Sequence, residues 1–358
     1  MSQVDTSEIL TERVDGPAAW YGRDLQDDDS WIGLLSDREV AEVRAAVAEV
    51  QGRGLTMLEM RRTAFDLPTL SPRLQALGRE LDRGRGFWLL RGLPVDEMTK
   101  QEAAVAYWGI GLHLGTPVSQ NARGHLLGHV TDEGRDIRDP GARGYQTRVR
   151  LPYHTDSSDA VGLLCLQPAM SGGLSSVASS TTVFNEVLAR RPELAPMWFQ
   201  PWYFDRRNEH PDGEAPFYQT PLACWLDGLL SVRYVRGFMD SAQRHAEVPR
   251  RTAEEKEFLD LIDEITHEPG IALHMDFRPG DIQFVCNYTV LHSRTRYEDW
   301  PEPERRRHLL RLWIALDDGR PLPDGYGQGL SVGATGLSGR GGIAPVPGAA
   351  EPDAGTRL

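Results

Sequence analysis

The chain has 358 residues, 40% of them hydrophobic, and a formal net charge of -13 at pH 7. This length permits one large catalytic domain or two modest domains, and the hydrophobic fraction is enough for a packed core. The negative charge argues against nucleic acid as a partner, because proteins that bind phosphate backbones normally carry a basic face. It is an argument for solubility and not for a cationic substrate.

The cysteines and the amino-terminal residues argue against further classes of protein. Cys165, Cys224 and Cys286 lie far apart in apolar stretches without a CxxC pair, so we expect buried reduced thiols rather than a zinc or redox site. Residues 1–16 are acidic and polar, and no run approaches membrane-spanning length. We therefore expect a cytoplasmic protein that has no membrane segment and can form a homo-oligomer.

The first third of the chain predicts helices and one strand. Ser71 and Pro72 mark a helix start with proline in the first turn, and a short apolar run between Gly86 and Gly92 predicts a buried strand. Further helix starts follow from pairs of residues with capping-box spacing, in which the side chains satisfy orphan amide protons: Ser36 with Glu39, Thr99 with Glu102, and Thr252 with Glu255.

From Val149 onward, short apolar runs alternate with Gly, Pro and Asp, which predicts many strands in a sandwich or barrel. Two helices interrupt them, at about 181–190 and 253–265. The predicted strands are 162–166, 202–204, 229–235, 271–277, 282–291 and 309–316. The fold class is therefore α+β. We divide the chain into an amino-terminal extension (1–30), one catalytic domain (31–316) and a Gly/Pro-rich tail (317–358) that is mobile or a loosely attached lid.

Three His-x-Asp triplets are candidates for a metal site. Alternate residues of a strand share one face, so a triplet in a strand can offer two ligands to one metal. The triplet at His210 contains a proline in a polar turn, which predicts a loop. The triplet at His274 runs at once into a tight turn, and an ordinary half-exposed strand is the simpler interpretation.

The triplet His154-Thr-Asp156 is the strongest of the three. It has a strand context, and enough chain separates it from His292 for several strands to close a small barrel around both. Two histidines and one carboxylate on one face of a metal are the ligands of non-haem Fe(II) oxygenases, and they leave three positions open for chemistry.

We also expect an arginine beside these metal ligands. A dicarboxylate that chelates iron at one end needs a fixed cation at the other, and guanidinium offers two parallel hydrogen bonds. Arg311 lies in an apolar strand, where a charge is costly to bury unless it is paired, so it is our candidate. Arg305, Arg306 and Arg307 precede it in a charge-rich turn, and we interpret them as a solvated face.

Six segments in this order resemble the taurine dioxygenase family, including its clavaminate synthase-like branch: Gly86 to Pro94, His154 to Asp156, Gly172 to Ser175, Arg278 to Asp281, Asn287 to His292, and Arg307 to Arg311. The resemblance implies a double-stranded β-helix, or jelly roll, with flanking helices, and Fe(II), 2-oxoglutarate and O2. It implies His154, Asp156 and His292 as metal ligands and catalytic residues. It also implies that Arg311 and Ser175, or its neighbour Ser176, hold 2-oxoglutarate.

The family resemblance predicts the reaction and leaves the substrate open. We expect hydroxylation of a C-H bond in a small molecule such as an amino acid or a related acid, with release of succinate and CO2. Desaturation or cyclisation, a zinc hydrolase and a non-catalytic binding barrel are alternatives. The spacing from His292 to Arg311 is longer than in taurine dioxygenase, which argues against taurine. Candidate substrate contacts are Gln120, Gln146, Tyr153 and Arg206.

Overall fold

A computed structural model describes residues 9–136, 141, 143–210, 213–323, 326, 340–346 and 348–349. The helices in this part of the chain are α1 (Gly22–Leu25), α2 (Asp37–Gly52), α3 (Leu70–Arg83), α4 (Lys100–Leu112), α5 (Ser180–Arg190), α6 (Arg236–Ala242) and α7 (Ala253–His267). All three predicted capping boxes are present, at the starts of α2, α4 and α7. Helix α3 starts at Leu70, two residues before Pro72, which the sequence predicts as the first helical residue. No helix among the described residues is long and apolar enough to cross a membrane.

The described residues also form seventeen strands. They are β1 (Ile32–Leu34), β2 (Phe87–Arg91), β3 (Gly115–Val118), β4 (Leu127–Val130), β5 (Leu151–His154), β6 (Ala160–Gln167), β7 (Ser171–Gly172), β8 (Ser175–Ser179), β9 (Pro201–Asp205), β10 (Phe217–Pro221), β11 (Ala223–Leu226), β12 (Leu229–Val232), β13 (Ala272–Met275), β14 (Ile282–Cys286), β15 (Val290–Arg294), β16 (Tyr297–Glu298) and β17 (His308–Leu316).

Two of the sheets form the centre of the fold. The larger has the order β1-β2-β14-β6-β17-β3, with β4 also paired to β17, and the smaller has the order β13-β8-β15-β5. Between them lies an apolar core to which both contribute, for example Val285 and Trp313 from the larger sheet and Val177 and Leu273 from the smaller. This is the sandwich that the pattern of short strands predicts, and it is the jelly-roll core expected of the fold.

Helices cover the outer faces of both sheets. A second core joins α2, α3 and α4 to the larger sheet. A third joins α5 and α7 to the smaller sheet and to the hairpins β9-β10 and β11-β12. The sandwich is therefore enclosed on both sides, and its open end between the sheets is the place where a site can form.

Segments near both ends of the described part of the chain pack against the rest of the structure. Trp20 and Leu25 are buried in the central core, within the segment expected to be an extension. Near the other end, Arg320 is buried and pairs with the side chain of Asp82 at 3.1 Å. Residues 342, 343 and 346 donate backbone hydrogen bonds to residues 157, 119 and 122. These contacts join the described residues of both stretches to the sheets and helices of the domain.

The predicted run 282–291 is two strands, because residues 287–289 form a turn between β14 and β15. Asn287 holds this turn by donating from its amide Nδ2 to the carbonyl of Ser158 at 3.0 Å. The periodicity of an apolar run cannot reveal such an interruption, since the residues on both sides are equally buried.

Candidate metal centre and substrate cavity

Three side chains converge at the open end of the sandwich. His154 ends β5, Asp156 follows it, and His292 lies in β15, directly opposite His154 in the antiparallel register. One ligand atom from each of the three lies within 4.8 Å of those of the other two, and the imidazole centroids are 4.3 Å apart. In the part of the chain that the structure describes, this is the only such group of His, Cys, Asp and Glu. Two imidazoles and one carboxylate can hold a divalent metal on one face.

Neighbouring groups orient two of these ligands. The Nδ1-H of His154 donates to the carbonyl of Pro152 at 2.8 Å, which leaves Nε2 with a lone pair for a metal. The backbone N-H of Asp156 donates to Oδ1 of Asn287 at 2.8 Å. The indole N-H of Trp313 donates to Oδ2 of Asp156 at 2.9 Å. The β14-β15 turn and β17 therefore hold the carboxylate from two sides.

The protonation states suit metal binding. Burial, with the nearby His154 and Arg311, lowers the pKa of His292 to about 3, so its imidazole is neutral at pH 7. Burial alone would raise the pKa of Asp156, but the positive charge of Arg311 and the indole N-H of Trp313 outweigh it, and this pKa lies below its ordinary value. Neutral imidazole and ionised carboxylate are the forms that bind metal.

The other two His-x-Asp triplets do not form such a group. His274 lies in β13 with its side chain exposed, and Asp276 is exposed just beyond the strand. Of the triplet at His210, Asp212 lies outside the described residues. Strand context alone thus does not separate His154 from His274. The separation comes from the face of the strand on which the side chain lies: His274 is exposed, whereas its neighbour Leu273 is buried in the central core.

A small cavity between the sheets adjoins the metal ligands and contains unsatisfied cationic groups. Ser175, Arg294, Arg307 and Arg311 line it together with His292. Arg307 is 4% exposed, contrary to the solvated face expected for it. Among the described residues, no partner accepts a hydrogen bond from its Nη1, nor from Nε and Nη1 of Arg294. Because buried donors without acceptors are costly, these groups fit a site for a dicarboxylate.

The two serines of the expected co-substrate motif point in different directions. Ser175 faces the small cavity, where its hydroxyl donates to Oε1 of Gln283 at 3.0 Å. The hydroxyl of Ser176 is 2.5 Å from that of Tyr153, on the other side of β8. The alternation of a strand therefore leaves Ser175 as the serine beside the arginines.

Arg311 differs from Arg307 because polar side chains already contact its guanidinium group. Its Nε donates to Oε1 of Gln120 at 2.7 Å, and its Nη1 is 3.7 Å from Oδ2 of Asp156. Its guanidinium carbon is 4.7 Å from the ring centroid of Tyr145 and 5.1 Å from that of Trp313. The Nε2 of Gln120 donates to the carbonyls of Leu126 and Arg311 at 2.8 Å. Gln120 thus holds Arg311, and both the oxygen and the nitrogen of the Gln120 side-chain amide are hydrogen-bonded.

A larger cavity of about 350 Å³ opens from the metal ligands toward solvent, and we call it the outer cavity. Of the four expected substrate contacts, Gln120 and Tyr153 line it. The amide of Gln146 instead donates to Glu133 at 2.8 Å, and Arg206 forms an ion pair with Glu214 at 3.6 Å. Neither is a lining residue.

Sequence reasoning missed several residues of the site. Arg143, Arg207, Phe238 and Ile343 line the outer cavity from loops and a short helix, and no periodicity marks them. For Trp313 and Arg307, the spacing from Arg311 in the sequence could have indicated a place in the site. Trp313 lies two residues after Arg311 on the same face of β17. Arg307 directly precedes β17 and lies four residues before Arg311, and an even spacing along extended chain places both side chains on one side.

Comparisons with known proteins identify the family to which the chain belongs. Residues 51–313 match the family model "Taurine catabolism dioxygenase TauD, TfdA family". The chain is 35% identical to "FR-33289 synthase" of Streptomyces rubellomurinus, over 88% of this chain and 94% of that protein. It is 31% identical to "Taurine hydroxylase-like protein SAT17" of Stachybotrys chartarum, over 86% and 81% of the two chains.

Two solved structures of oxygenases have the same fold as this chain. Asparagine oxygenase, in complex with Fe(II), 2S,3S-3-hydroxyasparagine and succinate, matches with a TM-score of 0.61 at 18% identity, covering 80% of this chain and 93% of that one. The non-heme iron oxygenase OrfP, in complex with Fe and alpha-ketoglutaric acid, matches with a TM-score of 0.56 at 18% identity, over 80% and 94%.

The chain belongs to the TauD, TfdA family of dioxygenases. It is an oxidoreductase that depends on Fe(II) and 2-oxoglutarate.

Proposed function

We propose that this enzyme hydroxylates a C-H bond of a small organic acid in the outer cavity, with conversion of 2-oxoglutarate to succinate and CO2. One observation carries the proposal: a two-histidine, one-carboxylate group lies beside a buried cavity whose arginines have unsatisfied donors. A zinc hydrolase would need the metal ligands but would give those donors no partner. The asparagine oxygenase and OrfP structures are complexes with the hydroxylated amino acids 2S,3S-3-hydroxyasparagine and (3S)-hydroxy-L-Arg, which supports an amino acid or a related acid here.

His154, Asp156 and His292 would hold the iron through Nε2, a carboxylate oxygen and a ring nitrogen. Bound iron with 2-oxoglutarate activates O2 and supplies the oxidant that removes a hydrogen atom from the substrate. Retention of the carboxylate Asp156 favours hydroxylation over halogenation, because a halide needs the position that this side chain fills. The buried walls keep water from the reacting atoms.

Arg307 and Ser175 would hold the distal carboxylate of 2-oxoglutarate, with Arg294 beside them. This assignment replaces Arg311, which the sequence favoured. The guanidinium of Arg307 is buried and has a free donor, whereas Arg311 is held by Gln120 and lies against Asp156. Burial lowers the pKa of Arg307 from its ordinary value, and a carboxylate beside it would offset that cost.

Arg311 would then act between the two cavities. It lines both of them and its charge keeps Asp156 ionised. Because Arg311 lies beside the metal ligands, its side chain would contact the bound substrate.

The proposal is tested by anaerobic titration of the protein with Fe(II) and then with 2-oxoglutarate. We expect the weak visible charge-transfer band of the iron chelate, and then substrate-triggered succinate formation with a product heavier by one oxygen. A loss of two hydrogens would identify desaturation or cyclisation instead. A protein that retains tightly bound zinc and gives no band would refute the oxygenase function.

A further inference from the structure

A carboxy-terminal segment lies against the loop that carries one of the metal ligands. We call residues 340–346 the strap, and residues 155–159, which join β5 to β6 and include Asp156, the ligand loop. Consecutive strap residues lie against consecutive loop residues in the opposite direction: Gly342 against Ser157, Gly341 against Ser158, and Arg340 against Asp159. The strap thus follows the ligand loop residue by residue directly after Asp156.

The strap also forms part of the outer cavity. The side chain of Ile343 lines this cavity and packs against the core between the sheets. The N-H of Ile343 donates to the carbonyl of Ser119 at 2.9 Å, beside Gln120, which holds Arg311. One segment therefore connects the position of a metal ligand with a wall of the space proposed for the substrate.

The close approach of the strap to its neighbours favours glycine at two of its positions. Gly341 and Gly342 have φ values of 74° and 86°, in the left-handed region that side chains rarely adopt. A Cβ atom at Gly341 would lie 3.1 Å from Cα of Ser158, and one at Gly342 would lie 3.0 Å from the carbonyl oxygen of Ser119. Both neighbours are backbone atoms, which cannot move aside as the end of a flexible side chain can. The sequence of the strap is therefore adapted to this seat, which argues against an incidental contact.

An ion pair fixes the start of the strap. The Nε of Arg340 donates to both oxygens of the Asp159 carboxylate at 2.7 Å. Asp159 is 1% exposed, and its carboxylate also accepts from the hydroxyl of Tyr288 at 2.8 Å and from the N-H of Leu316 at 3.0 Å. Among the described residues, Arg340 supplies the positive charge that pairs with it, and a buried charge that loses its partner is strongly destabilising. The strap, the ligand loop and the end of β17 therefore meet at Asp159.

We propose that Arg340 is a positioning residue that couples the strap to the metal centre: its ion pair with Asp159 holds the strap on the ligand loop, so that the metal site and the cavity wall form together. A seated strap restrains the loop that carries Asp156, and the same strap places Ile343 in the wall. Coupling is reciprocal, so a metal that favours the ordered loop must favour the seated strap by the same factor. This extends the proposed function and rests on it for the identity of the metal.

Hydrogen exchange of the full-length protein, followed by mass spectrometry, tests the coupling. The N-H groups of Gly342, Ile343 and Val346 are hydrogen-bonded in the seated strap and exchange when it opens. We expect anaerobic Fe(II) to slow this exchange by about 5- to 150-fold, the usual range of coupling between two sites. His154→Ala, which lacks a metal ligand, is the control and should show no slowing with Fe(II).

A parallel sample with Fe(II) and 2-oxoglutarate distinguishes failure of the coupling from failure of the proposed function. If the charge-transfer band forms but Fe(II) leaves the exchange of the strap unchanged, the metal site stands and the coupling is refuted. If no band forms, the oxygenase function fails, whereas slower exchange with Fe(II) would still show a metal site coupled to the strap. A missing band together with unchanged exchange would overturn both.

Arg340→Gln separates a positioning role from a merely structural one. Without metal, the strap of this variant should exchange about 10- to 100-fold faster, less than for a fully buried pair because the Arg340 side chain is 28% exposed. A structural role predicts the same acceleration with and without Fe(II). We expect instead that Fe(II) slows the exchange less than in the unmodified protein, and that Arg340→Lys, which keeps the charge, restores most of the slowing. Arg62→Gln is the matched control, because this arginine pairs with Asp317 just after β17 and not with the ligand loop.

A double variant tests whether the ion pair itself is responsible. Asp159→Asn removes the same charge pair from the other side and keeps the shape of the side chain. If the pair seats the strap, Arg340→Gln combined with Asp159→Asn should exchange no faster than Arg340→Gln alone, since both changes remove one interaction. Additive acceleration in the double variant would contradict the assignment of this pair, as would an Fe(II) effect in Arg340→Gln as large as in the unmodified protein.

Discussion

The two ends of the site are built differently. The metal ligands and the small cavity lie on paired strands, where the register between β5 and β15 places His154 opposite His292. The mouth of the outer cavity is built from loops, the short helix α6 and a carboxy-terminal segment, which bring Arg143, Arg207, Phe238 and Ile343 together. Paired strands therefore fix the positions of the metal ligands, whereas loops and a short helix form the part of the cavity that lies away from them.

Loss of a metal ligand should have the largest effect. His154→Ala or Asp156→Ala should bring succinate formation below detection, because two ligands cannot hold the metal in the required geometry. His274→Ala is the matched control from an exposed His-x-Asp triplet, and undiminished turnover in either ligand variant would place the metal elsewhere.

Replacement of Arg307 should weaken 2-oxoglutarate binding by roughly 30- to 5,000-fold, the range for truncating one partner of a buried charge pair. Arg305→Gln, on an exposed side chain, should have no effect. The measurement is the dissociation constant of 2-oxoglutarate from the charge-transfer band. A larger loss in Arg311→Gln than in Arg307→Gln would restore Arg311 as the anchor.

Trp313→Phe tests the support of the carboxylate ligand. This change removes the indole N-H that donates to Asp156 at 2.9 Å, and we expect Fe(II) affinity to fall about 10- to 100-fold, as for other groups that orient metal ligands. Trp300→Phe, at a residue outside both cavities, is the control. An unchanged affinity for Fe(II) would show that Asn287 and the strand alone position Asp156.

Ile343→Ala should have the smallest effect and acts only at the outer end. Removing part of an apolar wall costs about 1 to 2 kcal/mol of substrate binding, so KM for the identified substrate should rise a few-fold to about 30-fold. The affinity for 2-oxoglutarate should not change. Val346→Ala alters the same segment without touching the cavity, and equal effects of the two variants would indicate a loosened segment rather than a lost contact.

Local signals in the sequence predicted the elements well. Capping boxes need only residues three positions apart, so the starts of α2, α4 and α7 follow from sequence. The triplet at His154 and the distant His292 could be selected because iron chemistry restricts the ligand types. Arg307 was misjudged because a charge-rich turn and a buried strand end have similar local composition.

The sequence by itself determined the family, the metal-ligand types and most of the helices and strands, since each depends on residues within a few positions or on a motif. Folding alone sets which arginine among the described residues is buried with an unsatisfied donor, which serine faces the small cavity and which loops meet at the mouth of the outer cavity. Those outcomes depend on strand register and on contacts between segments such as Arg143 and Phe238, which are distant in sequence. Sequence patterns report the local preferences of a chain, whereas a binding cavity is defined by the surfaces that folding brings together.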